Sequence, residues 1–595
     1  MENIESSASL PLGSSENRIQ QWVILALLVL LLAAHHTWVL QHLEPAYSSP
    51  DASGYFVQAR MLATEGRSWF RPDSPLQYIG IHWLEAPDGR FFSRYPTGYP
   101  LLLAVPFRLI GPTAPLYVNP ILATLTLLFL FLLCRPWIGQ WLALVAVLIF
   151  AVNPTANRHA LHADSHTAVT AFLLAGLLVL ERWSRNPSRT KAVLSGLMLG
   201  MIPTIRYAES LVALGIVIFL VIQLRNHREI RHTLPFLLLS AAIPCILLLL
   251  RNQYAFGAFW RTGYSLTGEQ TGFGLEYMAQ KAGLYVVELM SRGAGLFFAF
   301  GLVGLMGMIR KKDTRPLALL LTGVIIPITL IYMAYYWGGP GIRFLLPTLP
   351  LYILPALWLF REIHSPGVAK AGLATLVVFH LAIGVPLSEE QMEGEQERAA
   401  RTSAVVTWVD NHVPEESLII ADRRLHETLD YYGRWRLVDA LFLARGRVPQ
   451  GPMRALEGQP SPRQDGKAQS LRASYQELSR QERTQRITQD LLDWAGGKTP
   501  VYWIGRALEV NSFSDNLPEG FRFNKVGEIE VPALEQRRRT RLGTALGNSR
   551  ARMREYMRNL LPGGARQVPL SPFNLQDDGR PIDVYLLERD GPDYQ

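Results

Sequence analysis

Apolar residues are not spread evenly along this chain. From about Trp22 to Leu387 they come in blocks, and after Ser388 the blocks stop and charges of both signs become common. Each block is close to the ~20 residues that cross ~30 Å of hydrocarbon as a helix. They fall near Trp22–Gln41, Ala114–Cys134, Ile138–Asn153, His166–Trp183, Ala192–Pro203, Ala208–Leu224, Leu234–Tyr254, Ser291–Ile309, Leu317–Tyr336, Phe344–Phe360 and Ala371–Leu387. The pattern predicts a polytopic α-helical membrane protein with about eleven transmembrane helices. Ala192–Pro203 is too short to span upright and runs into Pro203-Thr-Ile-Arg206, which predicts backbone broken at membrane depth. Such backbone is tolerated only where protein or a wet cavity surrounds it. Pro100–Ile110 is apolar but short, and with Arg94, Tyr95 and Tyr99 before it reads as an interfacial helix.

Beyond Ser388 the pattern is that of an α/β domain. Ser417–Ala421, Pro500–Gly505 and Ile582–Leu587 are short apolar runs of strand type, and Tyr475–Trp494 has helical spacing. Gly451–Ser474 is rich in Pro, Gly and Gln and reads as an exposed loop. Gln536–Arg554, with Arg537-Arg538-Arg539, is either a solvated helix or a headgroup-binding patch. There is no Gly-rich phosphate loop, so strand and helix alternation alone does not license a nucleotide site.

Charge then orients the helices. The net charge of +9 over 595 residues does not require a nucleic-acid partner, because much of it sits in short loops between apolar blocks. Arg182/Arg185/Arg189/Lys191, Arg225/Arg228/Arg231, Arg310/Lys311/Lys312/Arg315 and Arg361/Lys370 fall on one side. The positive-inside rule makes that side cytoplasmic. The expected organisation is a cytoplasmic tail over residues 1–20, a transmembrane module over 21–387 and an extracytoplasmic α/β domain over 388–595. A first extracytoplasmic loop with amphipathic helices covers 42–99, and the 253–290 loop lies on the same side. The expected location is the inner (plasma) membrane. Trp22–Leu40 is longer than a signal-peptide core and lacks a clear cleavage site, so it reads as a retained helix. Cys134 and Cys245 both lie inside apolar blocks and read as packing residues.

Ionisable groups at the outer ends of membrane helices are costly unless compensated, which makes them the best functional pointers. Asp51 precedes an apolar stripe of Tyr55, Phe56, Ala59, Leu62 and Ala63 that ends at Glu65-Gly66. It fits a helix N-cap, a role compatible with catalysis. In Arg158-His-Ala-Leu-His-Ala-Asp-Ser-His166, a continuous helix would put His159, His162 and His166 on one face with Asp164 pointing elsewhere. Three imidazoles are a conceivable metal set. The alternative is a wet loop in which Asp164 or Ser165 caps the next helix. Arg206 lies in the broken segment that continues to Glu209, and Arg343 opens the tenth helix. Either guanidinium suits phosphate binding, or snorkels to headgroups. Together these residues suit one chemistry. A sugar leaving a lipid phosphate passes through an oxocarbenium-like state. The departing phosphate needs positive charge rather than a general acid, and the acceptor hydroxyl needs one carboxylate base.

The chain resembles the C-type (GT-C) membrane glycosyltransferases, in particular the branch of protein O-mannosyltransferases and the lipid A aminoarabinose transferase. The resemblance rests on Asp51 with Tyr55 after the first helix, and on Tyr95-Pro-Thr-Gly-Tyr-Pro100 before a juxtamembrane helix. It rests also on Asp164 at the mouth of the fourth helix, on Asn252-x-x-x-Phe256-Gly with Gly263-Tyr264, and on Gly341-x-Arg343-Phe-Leu-x-Pro347. The paired Asp-Glu of the protein mannosyltransferases is absent, since Ala52 follows Asp51.

This resemblance implies a polyprenyl-phosphate-sugar donor, a glycan, lipid or protein acceptor, and inverting transfer at an extracytoplasmic site. Asp51 would be the base, with Asp164 the second catalytic carboxylate. Arg206 and Arg343 would lie near the donor phosphate, and Tyr55, Arg94, Tyr95, His162, His166, Glu209 and Tyr264 would support them. No metal ligand is assigned, and a divalent-metal requirement is left open. The competing readings are a transporter or lipid flippase using the broken segment as a midplane site, and a non-catalytic assembly protein.

Overall fold

The computed structural model describes residues 15–46, 50–80, 82–86, 88–267, 272–335, 341–440, 443, 475, 478–505, 507–532 and 581–589. The expected 451–474 loop and the arginine-rich 536–554 stretch lie outside the described residues.

All eleven apolar segments are helical. Among the described residues eight helices are long and apolar enough to cross a membrane, or ten if each of two bent pairs is one span. The bent pairs are Gln140–Ala151 with Pro154–Leu161, at 62°, and Lys281–Ser291 with Leu296–Arg310, at 103°. The eleventh, Arg189–Ile205, has 17 residues. The expected break follows it: the helix carries Pro203 in its last turn and ends at Arg206, whose φ of −149° and ψ of 123° are extended. Gly196 and Gly200 let it lie against Leu234–Phe256. A Cβ at either would meet backbone oxygen of Leu237 or Ala241 at 2.2–2.4 Å, the close small-residue approach expected where helices gain nothing from expelling water.

His166–Arg185 and Gly341–Arg361 are mostly buried and form the middle of the bundle. Leu234–Phe256 instead exposes Leu238, Leu239, Ile243, Ile246, Leu247 and Leu250. An apolar helix with its leucines outward has lipid as its solvent. Gly98–Leu109 is a separate 12-residue apolar helix, as an interfacial element requires.

The first loop carries more than helices. It begins with helical residues 50–65 and continues into a small antiparallel sheet of β1 (Trp69–Phe70), β2 (Trp83–Glu85) and β3 (Phe91–Ser93), ordered β1-β3-β2. The last span also differs from expectation. Pro366–His412 is one 47-residue helix, about 70 Å long at 1.5 Å per residue. The boundary expected at 387/388 therefore falls inside a continuous helix that leads out of the bundle.

The C-terminal unit is a five-stranded mixed sheet of β4 (Leu418–Ala421), β5 (Arg436–Asp439), β6 (Val501–Gly505), β7 (Phe521–Ile529) and β8 (Ile582–Arg589), ordered β5-β4-β6-β8-β7. β4 runs parallel to β5 and β6, while β8 is antiparallel to β6 and β7. Three of these strands match the apolar runs of the sequence. β5 and β7 alternate more weakly and were not apparent there. The C-terminal unit leans on the transmembrane module: Tyr78 N of the first loop donates to Leu437 O of β5 at 2.6 Å, and Tyr431 O–H, on the helix Arg423–Tyr432, donates to Pro112 O.

Candidate active site

The helix that begins at Pro50 does not use Asp51 as its N-cap. Asp51 lies in the first turn rather than before it. Tyr95 O–H donates to Asp51 Oδ1 at 2.8 Å, and His82 Nε2 lies 3.3 Å from the same oxygen. The next five residues, Ser53–Val57, wind as a buried π-helical turn, an irregularity that recurs at functional sites. It presents Tyr55, whose ring stacks on Tyr95 with centroids 4.2 Å apart. Gly54 makes room for that arrangement, because a Cβ there would meet the Tyr95 ring at 2.4 Å. Arg94 lies over the rings of Tyr95 and Tyr264 and donates from Nη2 to Tyr95 Oη at 3.3 Å.

Burial by itself raises the pKa of a carboxyl. At Asp51 the hydrogen bond from His82, the Arg343 charge and the Tyr95 hydroxyl outweigh burial and hold the group well below the usual carboxylate range. Its side chain still keeps 27% of its surface open. The result is an anionic carboxylate fixed on one side and accessible on the other.

A second cluster adjoins it. Tyr55 Oη and Ser165 Oγ are 3.0 Å apart, and Arg206 Nη1 donates to Ser165 Oγ at 3.4 Å. Arg206 Nε also donates to Glu209 Oε1 at 2.8 Å, and Nη2 to Tyr332 Oη at 3.3 Å; Tyr332 in turn donates to Glu209 at 2.9 Å. Arg206 and Arg343 both lie over the Phe344 ring, at 5.7 and 4.9 Å, and His166 packs against its edge. The two guanidiniums expected at the donor phosphate therefore share one aromatic ring.

The histidine segment departs from expectation. It is not one helix: Pro154–Leu161 ends, His162 is extended, and a new helix starts at His166. Asp164 consequently turns toward the histidines. His159 Nδ1 meets its Oδ2 at 2.7 Å, and the His166 backbone N–H donates to its Oδ1 at 3.0 Å. Ser165 occupies the N-cap position without capping through its side chain, and the Asp164 carboxylate before it takes the first helical N–H instead. Burial would raise its pKa, but the His159 and His166 imidazoles bring it below the usual range. His162 lies between two carboxylates, its Nδ1 2.9 Å from Glu395 Oε2 and its Nε2 3.9 Å from Asp164 Oδ2. Glu395, on the 47-residue helix, also takes Arg158 at 2.7 Å and pairs with Arg398. The three-imidazole metal face is not formed. Among the described residues no three His, Cys, Asp or Glu side chains are grouped to hold a metal ion.

Asp51, Tyr55, Tyr95, Arg94, Tyr264, Arg206, Glu209 and Arg343 thus belong to one contact network, with Asp164 and His166 at its edge and His162 a step further out. Sequence reasoning missed His82, Tyr332 and Glu395, and offered Ser165 only as a helix cap. Ser165 had a signal, since it sits inside the Asp164 motif. His82 had a weaker one, a lone imidazole in an apolar run ahead of β2.

A multi-helix apolar bundle with a polar, arginine-bearing site between its first loop and its helix ends defines a polytopic membrane protein with a candidate site at the membrane surface. Comparison with known proteins sharpens that class. Residues 96–250 match the family model described as dolichyl-phosphate-mannose-protein mannosyltransferase. Two structures of ArnT from Cupriavidus metallidurans, one bound to undecaprenyl phosphate and one apo, match with TM-scores of 0.57 and 0.55. Both are 13% identical and cover 86% of this chain and 96% of that chain. The apo oligosaccharyltransferase of Archaeoglobus fulgidus matches with a TM-score of 0.50 at 11% identity, over 84% of this chain and 72% of its own. No curated protein matches at the level of sequence. The chain therefore shares its fold with these membrane proteins, and over residues 96–250 it resembles the mannosyltransferase family.

Proposed function

We propose that the protein moves a hexosyl or pentosyl group from a polyprenyl-phosphate-linked donor to an acceptor hydroxyl, with inversion. The reaction would take place at the extracytoplasmic face of the inner membrane, where the domain after the last span also lies. Asp51 is the general base. The observation that carries this reading is the setting of its carboxylate, held by Tyr95 and His82, under the charge of Arg343, and open on one side.

The acceptor hydroxyl approaches Asp51 on that open side. As its oxygen attacks the anomeric carbon, positive charge develops on the sugar and negative charge on the leaving phosphate. The base and the arginines answer these two demands separately, so no second carboxylate need flank the bond. Arg206 and Arg343 serve the phosphate, and Arg94, pinned over Tyr95 and Tyr264, adds charge at the same mouth. Asp164 acts on this reading through the turn it caps, which carries Ser165 to Tyr55 and Arg206. The undecaprenyl phosphate bound to the ArnT structure supports the donor class.

The test is transfer from radiolabelled undecaprenyl-phosphate sugars by the reconstituted protein, with Asp51→Asn beside the wild type. The expected fall for the variant is about 10²–10⁴-fold, the usual worth of a general base. Full activity in Asp51→Asn removes the assignment.

A further inference from the structure

Arg251 stands in the last turns of the apolar helix Leu234–Phe256. Its guanidinium lies over the Phe256 ring, 4.7 Å from the centroid. From there it reaches two segments that are far apart in sequence. Nη2 donates to the backbone oxygen of Ser93, the last residue of β3. On its other side the guanidinium meets the Tyr207 hydroxyl, which in turn donates to Asn252 Oδ1 at 2.9 Å. Among the described residues no carboxylate pairs with it, so its donors go to neutral oxygens.

Both segments lead directly into the candidate site. Ser93 Oγ donates to Gly54 O at 2.9 Å and accepts from Tyr95 N at 3.2 Å. The end of β3 thus holds the π-helical turn and Tyr95, whose hydroxyl donates to Asp51. Tyr207 directly follows Arg206, and its ring meets the Tyr264 ring edge-on at 5.9 Å. The base hangs from one end of the Arg251 fork, and an arginine of the phosphate side hangs from the other. A guanidinium suits this task because its donors leave in fixed planar directions, which an ammonium on a flexible stem does not offer.

We propose that Arg251 is a positioning residue that sets the spacing between the Asp51 carboxylate and the Arg206 guanidinium and touches neither substrate. The inference rests on the glycosyl-transfer reading above. In an inverting transfer the acceptor oxygen attacks one face of the anomeric carbon while phosphate leaves from the other. The base and the phosphate arginines must therefore stand at matched positions on either side of the sugar. A misplacement of about 1 Å between them is worth roughly 10²-fold in rate. Releasing either end of the fork loosens that spacing and leaves the phosphate-binding groups themselves in place.

Three substitutions test the clamp. Arg251→Lys keeps the charge and loses the fork. Arg251→Ala opens a space that methylguanidinium can enter. Tyr207→Phe releases one end alone and serves as the test should neither Arg251 variant fold. The assay is sugar transfer by the full-length protein in liposomes, from whichever radiolabelled hexosyl or pentosyl undecaprenyl phosphate the wild type consumes. A thermal-shift titration with undecaprenyl phosphate reads folding and lipid-phosphate binding together. The expected result is a fall in kcat of about 10²-fold in both Arg251 variants and a smaller fall in Tyr207→Phe. Donor KM and the undecaprenyl phosphate titration should stay near their wild-type values, the signature of a group that acts only in the transition state. Methylguanidinium should restore Arg251→Ala in part, and methylammonium, with the same charge and no fork, should not. Wild-type kcat in Arg251→Lys or Tyr207→Phe, or a folded Arg251→Ala that methylguanidinium does not rescue, overturns the clamp. So does loss of undecaprenyl phosphate binding in step with kcat, which makes Arg251 a phosphate ligand instead. Each of these leaves the glycosyl-transfer reading standing. A wild type inert on every donor, or an Asp51→Asn variant with full activity, overturns the reading itself and the clamp with it.

Discussion

Arg206 and Glu209 make a buried charge pair at the candidate site, and Glu209→Leu perturbs it directly. Glu209 is fully buried and Arg206 is 13% exposed at the side chain, with Nε and Oε1 2.8 Å apart. At an effective dielectric of about 20, Coulomb's law gives roughly 6 kcal/mol of attraction at that distance. Desolvation of both ions offsets much of this. Removing one partner nevertheless strands the other, at a cost of about 3–5 kcal/mol. Tyr332 also loses its acceptor. Glu209→Leu should therefore lower the thermal midpoint in detergent by several degrees. The double variant Arg206→Leu/Glu209→Leu should recover part of the loss, because no charge is then left buried alone. The assay is thermal unfolding followed by tryptophan fluorescence, run as a double-mutant cycle. A Glu209→Leu variant as stable as the wild type, or a cycle whose coupling stays below about 0.5 kcal/mol, refutes the argument.

Three further outcomes follow from the same geometry. Gly54→Ala puts a methyl group into the Tyr95 ring, and should displace the hydroxyl that Asp51 accepts; transfer should drop at least tenfold while total expression holds. Ser165→Ala leaves the Tyr55 hydroxyl buried without its partner, which costs about 1–3 kcal/mol and should weaken protection by undecaprenyl phosphate in a thermal-shift titration. Asp430, in the C-terminal unit, is pushed up to about 6 by burial, which the Arg60 charge only partly opposes. A raised folded-state pKa contributes stability that is present below the unfolded value of about 3.9 and lost as pH rises toward 6. Limited proteolysis of the C-terminal unit should therefore quicken between pH 4 and pH 7, and Asp430→Asn should flatten that dependence.

The spans were legible because a bilayer demands long apolar runs whatever the tertiary packing, and all eleven segments proved helical. The site was legible in its charged members, since Asp51, Arg206 and Arg343 are conspicuous in apolar surroundings. What escaped was set by tertiary contact. His82 meets Asp51 across 31 positions of chain only because a small sheet folds the first loop back, and two- and three-residue strands leave almost no periodicity. Glu395 looked like one more charge beyond the last span. Its burial against His162 depends on a helix that runs on past Ser388, which the change in composition there concealed. The break expected over the Pro203–Glu209 segment falls at Arg206 rather than at the proline itself, because proline near the end of a helix can be carried when neighbouring helices hold the backbone.

The central claim is that this bundle transfers a sugar from a lipid phosphate with Asp51 as its base. Its most direct measurement is the anomeric configuration of the product formed by reconstituted protein from an undecaprenyl-phosphate sugar, read by NMR with Asp51→Asn in parallel. The account predicts a single inverted anomer, one undecaprenyl phosphate released per sugar moved, and no product above background from the variant. Retained configuration, or undiminished product from Asp51→Asn, contradicts it.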